Sequence, residues 1–214
     1  MSIVNAADHA ASPAHLDTST GLDNRKLAFW TFIGSECLLF GSLIATYMAY
    51  KGHSLVGPMP HEGQLTATGQ PAHGILAVGI TTWSTFVLLM SSVIMVLALA
   101  AVQRGDRKWS VIWLWGVALF GAIFLGVQAY EFNHFYEHGL TLQTNLFGST
   151  FFMLTGFHGA HVLVGCIYLS TLAILAMRGK LGPEKSMNVE IAGLYWHFVD
   201  VIWIVIFALV YLIK

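Results

Sequence analysis

The chain opens with about two dozen small and polar residues and then falls into long apolar stretches divided by short polar punctuation. A transmembrane helix needs about 20 largely apolar residues to cross the hydrocarbon core of a bilayer. Spans are predicted over about 27–50, 76–102, 110–130, 147–177 and 191–213, the fourth long enough to tilt or to project from the bilayer. Turn residues mark the connections: Gly57-Pro58-Met59-Pro60 and Gln70-Pro71 in the first, Gly105-Asp106 in the second, Gly182-Pro183 in the fourth. The pattern predicts an all-α integral membrane bundle of five transmembrane helices over 25–214, preceded by a flexible tail over 1–24. No internal repeat and no Pro-interrupted span is present, which speaks against an inverted-repeat transporter.

Composition supports the membrane reading. Only 10% of the 214 residues are charged and 56% are hydrophobic, with mean hydropathy +0.68, whereas roughly 25% charged residues clothe an ordinary soluble domain. A net charge of -1 gives no reason to expect a nucleic-acid partner. Cys37 and Cys166 both lie in apolar runs, so packing is expected of them rather than a disulfide or a thiolate metal site. No secretory signal peptide precedes the first span.

Positive charge sets the expected orientation. Arg25, Lys26, Arg104, Arg107, Lys108, Arg178, Lys180 and Lys185 fall on one side of the predicted spans, leaving only Lys51 and Lys214 on the other. The amino terminus is therefore expected in the cytoplasm and the carboxyl terminus outside. Trp109, Trp113 and Trp115 near the third span, and Tyr195 and Trp196 near the fifth, suit interfacial anchoring, although helix packing accounts for some of them equally well.

An ionisable side chain inside a bilayer costs a few kcal/mol or more and needs a reason to be there. Glu36 lies on the order of 14 Å into the first span. His158 and His161 fall near the middle of the fourth, His197 and Asp200 in the fifth, and Gln128 and Glu131 at the outer end of the third. Each of the pairs His158/His161 and His197/Asp200 is three residues apart and shares a helix face. Both could line one polar interior seam that Glu36 reaches from the first helix. A metal centre is one reading, but the paired Glu-x-x-His pattern of di-iron bundles is missing. Mutual hydrogen bonding that fixes helix packing is a second. A protonatable or lipid-headgroup-binding role is a third, with Glu36 foremost, because burial among apolar side chains favours a neutral carboxyl. Gly156, Gly159 and Gly165 should let another helix approach the fourth span closely.

Three segments carry a family resemblance: GSTFFMLTGFHGAHVLVG over 148–165, YWHFVDVIW over 195–203, and Ser35-Glu36 followed by Leu38-Leu39-Phe40. Gly105-Asp106-Arg107-Lys108 and Gln128-Ala129-Tyr130-Glu131 support them. Together they resemble subunit III of the haem-copper respiratory oxidases over about residues 25–213. The resemblance implies a haem-free, non-catalytic subunit of a proton-pumping terminal oxidase of aerobic respiration, in the bacterial cytoplasmic (inner) membrane. Haem and copper are then expected in partner subunits: subunit I as the main partner, subunit II, and a small subunit IV. Phospholipid binding and support of proton uptake and turnover stability are implied as well. Glu36 matches the family's buried, carbodiimide-reactive carboxylate, while His158, His161, His197 and Asp200 match motif positions tied to packing, hydrogen bonding and lipid contact. Many family members have seven spans; this chain lacks the first two, so the lipid-holding cleft that they help to form depends on helices of another subunit. The strings are closer to the cytochrome c branch than to the quinol branch.

The histidine inventory agrees with a haem-free chain. His9 and His15 lie in the tail, His53, His61 and His73 in the first predicted outer loop, and His134 and His138 in the second. That leaves too few intramembrane imidazoles for a haem-copper site, no cysteine pair for dinuclear copper and no Cys-x-x-Cys-His haem attachment. The alternatives are a quinol oxidase subunit III, a free-standing proton channel or transporter using the Glu36, His197, Asp200 seam, and the related accessory protein of nitric oxide reductases.

Overall fold

The structure, a computed structural model, describes residues 23–51, 53–54 and 78–213. The predicted tail lies outside the described residues apart from its last two positions, as do most of the first connection and two of its three histidines, His61 and His73. Five helices long and apolar enough to cross a membrane make up the described chain, and it contains no strand. They are α1 (Asn24–Tyr50), α2 (Val78–Gln103), α3 (Arg107–Glu137), α4 (Leu146–Met177) and α5 (Ser186–Phe207). A single 3₁₀ turn, Pro183–Lys185, leads into α5, which continues through a π turn at Ala208–Leu212.

Local chemistry sets the helix ends. Asp106 accepts a hydrogen bond from the Trp109 backbone N–H at 3.3 Å and Asn145 from that of Gly148 at 2.6 Å, capping α3 and α4. Gly105, at φ 73°, lets the chain reverse after α2: its N–H reaches Val102 O and that of Asp106 reaches Ala101 O. Few residues other than glycine take up that left-handed conformation, and the bonds satisfy carbonyls that the helix end leaves free. Gly139 and Gly179 close α3 and α4 in the same way.

α3 runs further than hydropathy alone indicates. His134, expected in the second outer loop, lies on the helix, and His138 is its C-cap residue. The helix keeps its backbone hydrogen bonds through Tyr130–Glu137, where the side chains have already turned polar. The end of an apolar run marks the end of the hydrocarbon layer rather than of the helix.

α2, α3, α4 and α5 pack around a common core in which each contacts its chain neighbour and α5 returns to α2. α1 leans on α4 and α5 from outside and buries only Phe40 and Tyr47. Trp196 is the central wedge. It is fully buried, donates from Nε1 to Ser91 Oγ at 2.8 Å, and fills space that glycines leave open on two other helices. A Cβ at Gly121 on α3 lies 2.5 Å from the Trp196 ring, and one at Gly165 on α4 lies 2.8 Å from it. Trp203, also buried, donates to Thr85 Oγ1 at 2.9 Å. Tyr195 and Trp196 are thus packing residues rather than interfacial anchors, whereas Trp109 and Trp115 remain exposed. Of the glycines expected to admit a close neighbour, Gly159 and Gly165 do so against Gln128 and Trp196, and Gly156 faces open space. Cys166 is buried, Cys37 is exposed, and neither is bonded to the other.

Cations fasten one end of the bundle. Lys26 pairs with Glu190 at 2.7 Å, joining the starts of α1 and α5, and Arg107 donates to the Ala176 and Met177 carbonyls at the end of α4. At the opposite end Lys51 donates to Ile213 O at 2.6 Å and Leu209 O at 3.2 Å. The two side chains of the Lys26–Glu190 pair are 34% and 35% exposed, so solvent screens them. Lys26→Ala is expected to lower stability by less than about 1 kcal/mol, measured as the unfolding midpoint of the detergent-solubilised chain.

Candidate functional site

The ionisable residues of the spans do not join into one seam. They form separate groups, of which the first brings together α1 and α4. Glu36 Oε2 lies 3.1 Å from His161 Nε2, and the two side chains are 15% and 16% exposed. His161 Nδ1 lies 2.8 Å from Phe157 O, one turn back on its own helix. A carbonyl can only accept, so Nδ1 carries the proton and Nε2 faces the carboxyl. Glu36 and His161 then share a single proton, as carboxylic acid with neutral imidazole or as carboxylate with imidazolium. Either arrangement has no net charge, which is what a low-dielectric surrounding tolerates.

The pair sits in an apolar cleft of about 540 Å³ between α1, α4 and α5, walled by Phe29, Phe32, Phe157, Val164, Tyr168 and Tyr195. The Tyr195 hydroxyl donates to His161 O at 3.1 Å, holding the α5 wall to α4. Phe40 packs edge-on against the His161 ring at 5.0 Å and closes the inner side. Chemically, the cleft offers a hydrocarbon surface with one hydrogen-bonded carboxyl–imidazole pair in its lining.

His158, on the same helix, does not join that pair. It is completely buried, lies parallel to Trp203 at 4.8 Å and edge-on to Phe124 at 5.8 Å, and neither ring nitrogen has a partner among the described residues. His197 and Asp200 on α5 meet through α2: Ser92 Oγ lies 2.9 Å from His197 Nδ1 and donates to Asp200 Oδ2, while Asp200 Oδ1 is buried and unpaired. Gln128 donates to Thr155 O at 2.8 Å and joins α3 to α4. Glu131, 5% exposed, accepts from Thr81 Oγ1 at 2.5 Å, and the Tyr211 hydroxyl joins them from the π turn, so α2, α3 and α5 meet at one carboxyl.

The spacing of charged residues could not reveal Ser92, Thr81 or Tyr211, because a hydroxyl in an apolar run carries no signal of its own. Their partners lie on other helices. Removing Glu131 is expected to take from Thr81 and Tyr211 the carboxyl that they share inside the bundle. Glu131→Ala should lower stability by about 1–3 kcal/mol, and Glu131→Gln, which keeps an acceptor, by clearly less. Thermal melting of the detergent-solubilised chain compares the two.

No group of three or more His, Cys, Asp or Glu side chains among the described residues is placed to hold a metal ion. What the spans contain is a set of helix-to-helix hydrogen bonds and one polar pair open to a cleft. Fold and site together define a multi-pass helical membrane protein. A profile of cytochrome c oxidase subunit III matches residues 11–214. Among similar proteins, the quinol oxidase subunit 3 of Bacillus subtilis (strain 168) is 37% identical over 208 residues, 96% of each chain. The cytochrome c oxidase subunit 3 of Bacillus sp. (strain PS3) is 35% identical over 209 residues, 98% of this chain and 95% of its own. That of Thermostichus vulcanus is 35% identical over 193 residues, covering 89% and 88%. The chain belongs to the cytochrome c oxidase subunit III family. It is subunit III of a haem-copper oxidase, has no catalytic site of its own, and associates with other oxidase subunits.

Proposed function

We propose that the chain lies in a bacterial cytoplasmic membrane with its amino terminus inside, packs chiefly against oxidase subunit I, and supports assembly, lipid retention and proton uptake there. The observation that carries this reading is the Glu36–His161 pair on the floor of an apolar cleft. An acyl chain suits the aromatic and aliphatic walls, and the pair holds one proton that can shift between carboxyl and imidazole without placing net charge in the membrane. The gathering of Lys26, Arg107 and their neighbours at one end of the bundle supports the orientation.

Haem and copper are placed in the partner subunits. The donor set of this chain supports that assignment: both nitrogens of His161 are engaged, His158 is sealed between aromatic rings, and Nδ1 of His197 is bound to Ser92. Subunit II and a small subunit IV complete the proposed complex. Cytochrome c is the proposed electron donor; relatives of both the cytochrome c and the quinol type are similar to this chain.

The test is purification of the tagged chain from its native membranes in mild detergent, with a reduced-minus-oxidised spectrum, lipid analysis and assays with cytochrome c and with quinol. Haem bands, a larger multi-span subunit and bound phospholipid are expected in the complex, and a colourless product when the chain is made alone. A chain that purifies alone and moves protons in liposomes overturns the reading in favour of a free-standing channel. Oxidation of quinol but not of cytochrome c overturns only the choice of donor.

A further inference from the structure

His197, like the Glu36–His161 pair, is only partly buried, but it lies outside the cleft that holds that pair. His197 lies six residues into the predicted span 191–213, on the order of 9 Å from the start of that apolar run. Its Nδ1 is held by Ser92 and, through that hydroxyl, is linked to the buried Asp200. Its Nε2 makes no hydrogen bond among the described residues and is not enclosed by the bundle.

The surface around it is aliphatic. Val201, Ile204 and Val205 are 57%, 44% and 39% exposed on the following turns of α5. On α2, Leu89 and Val96, one turn to either side of Ser92, are 36% and 56% exposed. Hydrocarbon tails offer an imidazole nitrogen neither donor nor acceptor, and His197 lies two turns inside the Lys26–Glu190 pair that marks the polar end of the bundle. Ionisable residues at this depth pair with protein groups or line water-filled cavities. Polar side chains between transmembrane helices act as local glue of about 1–2 kcal/mol in model systems.

We propose that this α2–α5 face is the docking surface for a transmembrane helix of another oxidase subunit. That helix presents a hydrogen-bonding side chain to His197 Nε2 and packs its aliphatic flank over Val201 and Ile204. Ser92 and Asp200 are positioning residues that hold the ring with Nε2 outward. The proposal rests on the subunit III reading and deepens it by choosing the face through which the chain associates; the proton-holding cleft, lined by α1, α4 and Tyr195 of α5, is a different surface.

The experiment places the photocrosslinker p-benzoylphenylalanine at Val201 of the full chain, expressed within its oxidase in native membranes. Control positions are Leu119 on α3 and Ile167 on α4, which are 58% and 60% exposed. Illumination is expected to join the Val201 chain to a larger multi-span oxidase subunit at a yield at least about tenfold above either control. A second substitution, His197→Leu, should lower that cross-link several-fold, whereas His197→Gln, which keeps a hydrogen-bonding group, should retain most of it. If the oxidase co-purifies but Val201 cross-links to no subunit, or if the yield is unchanged in His197→Leu, the proposal is overturned. Should His197→Leu prevent accumulation of the chain, the comparison of Val201 with the two controls in the otherwise unchanged chain still decides. Absence of any other oxidase subunit around the unmodified chain would instead overturn the subunit III reading itself.

Discussion

Gly121→Val is expected to remove the chain almost completely from the purified oxidase. A Cβ at this position would lie 2.5 Å from both Cys166 Sγ and Trp196 Cη2, before the two valine methyls are added. Trp196 cannot retreat, because Gly165 confines it from α4 and Ser91 holds its Nε1 from α2. Overpacking a tight core costs about 1–3 kcal/mol in ordinary cases and more where nothing yields. The result is expected to be separation of α3 from α5 rather than local adjustment. Trp196→Ala tests the same junction from the other side, by leaving a cavity worth about 3–5 kcal/mol. Both are read as the amount of chain that co-purifies with the haem-bearing subunits. Normal incorporation of Gly121→Val would show that the three-helix junction around Trp196 is not how the bundle is closed.

The second large effect concerns proton handling rather than assembly. Glu36→Ala is expected to leave haem reduction largely intact while slowing proton uptake or shortening the lifetime of the oxidase during turnover. Removing the carboxyl leaves His161 Nε2 facing an apolar cleft without a partner, a cost of about 1–3 kcal/mol. His161→Phe should produce the same functional change, since it breaks the same Glu36–His161 contact. The double variant should then be little worse than either single one, which is the signature of two groups acting through one interaction. Stopped-flow proton uptake and the decay of oxygen consumption during sustained turnover measure these changes. If Glu36→Ala abolishes haem reduction outright, the assignment of Glu36 to proton support is wrong.

Lipid behaviour offers a check on the same cleft. Its walls are nearly all aromatic and aliphatic, so an occupant is held by surface contact between α1, α4 and α5. α1 is fastened by few contacts and by the Lys26 and Lys51 ties at its two ends. Harsh delipidation should therefore loosen α1 first, and readded phospholipid should restore turnover lifetime in the unmodified oxidase.

The number of spans, their approximate limits and the all-helical class were legible in the chain alone. Five apolar runs of bilayer length admit few other structures, because a backbone in hydrocarbon must satisfy its own hydrogen bonds. The residues that needed explaining were equally visible, since Glu36, His158, His161, His197, Asp200, Gln128 and Glu131 stand out against apolar surroundings. Their partners were not. Periodicity places His158 and His161 on one face, yet a shift of one turn along α4 separates a histidine paired with Glu36 from one enclosed by Phe124 and Trp203. The end of α3 also escaped hydropathy, which measures the thickness of the hydrocarbon and not the persistence of a helix.

A single chain read in order thus determines what must lie in the membrane and which polar groups must find partners there, because both follow from local transfer free energies. Which groups meet is decided only by the tertiary structure. The bonds of Glu36 with His161, Ser92 with His197 and Asp200, and Thr81 with Glu131 each depend on the rotation and height of one helix against another. Those are set by interdigitation around Trp196, Gly121 and Gly165, a property of three helices packed together that no one of them contains.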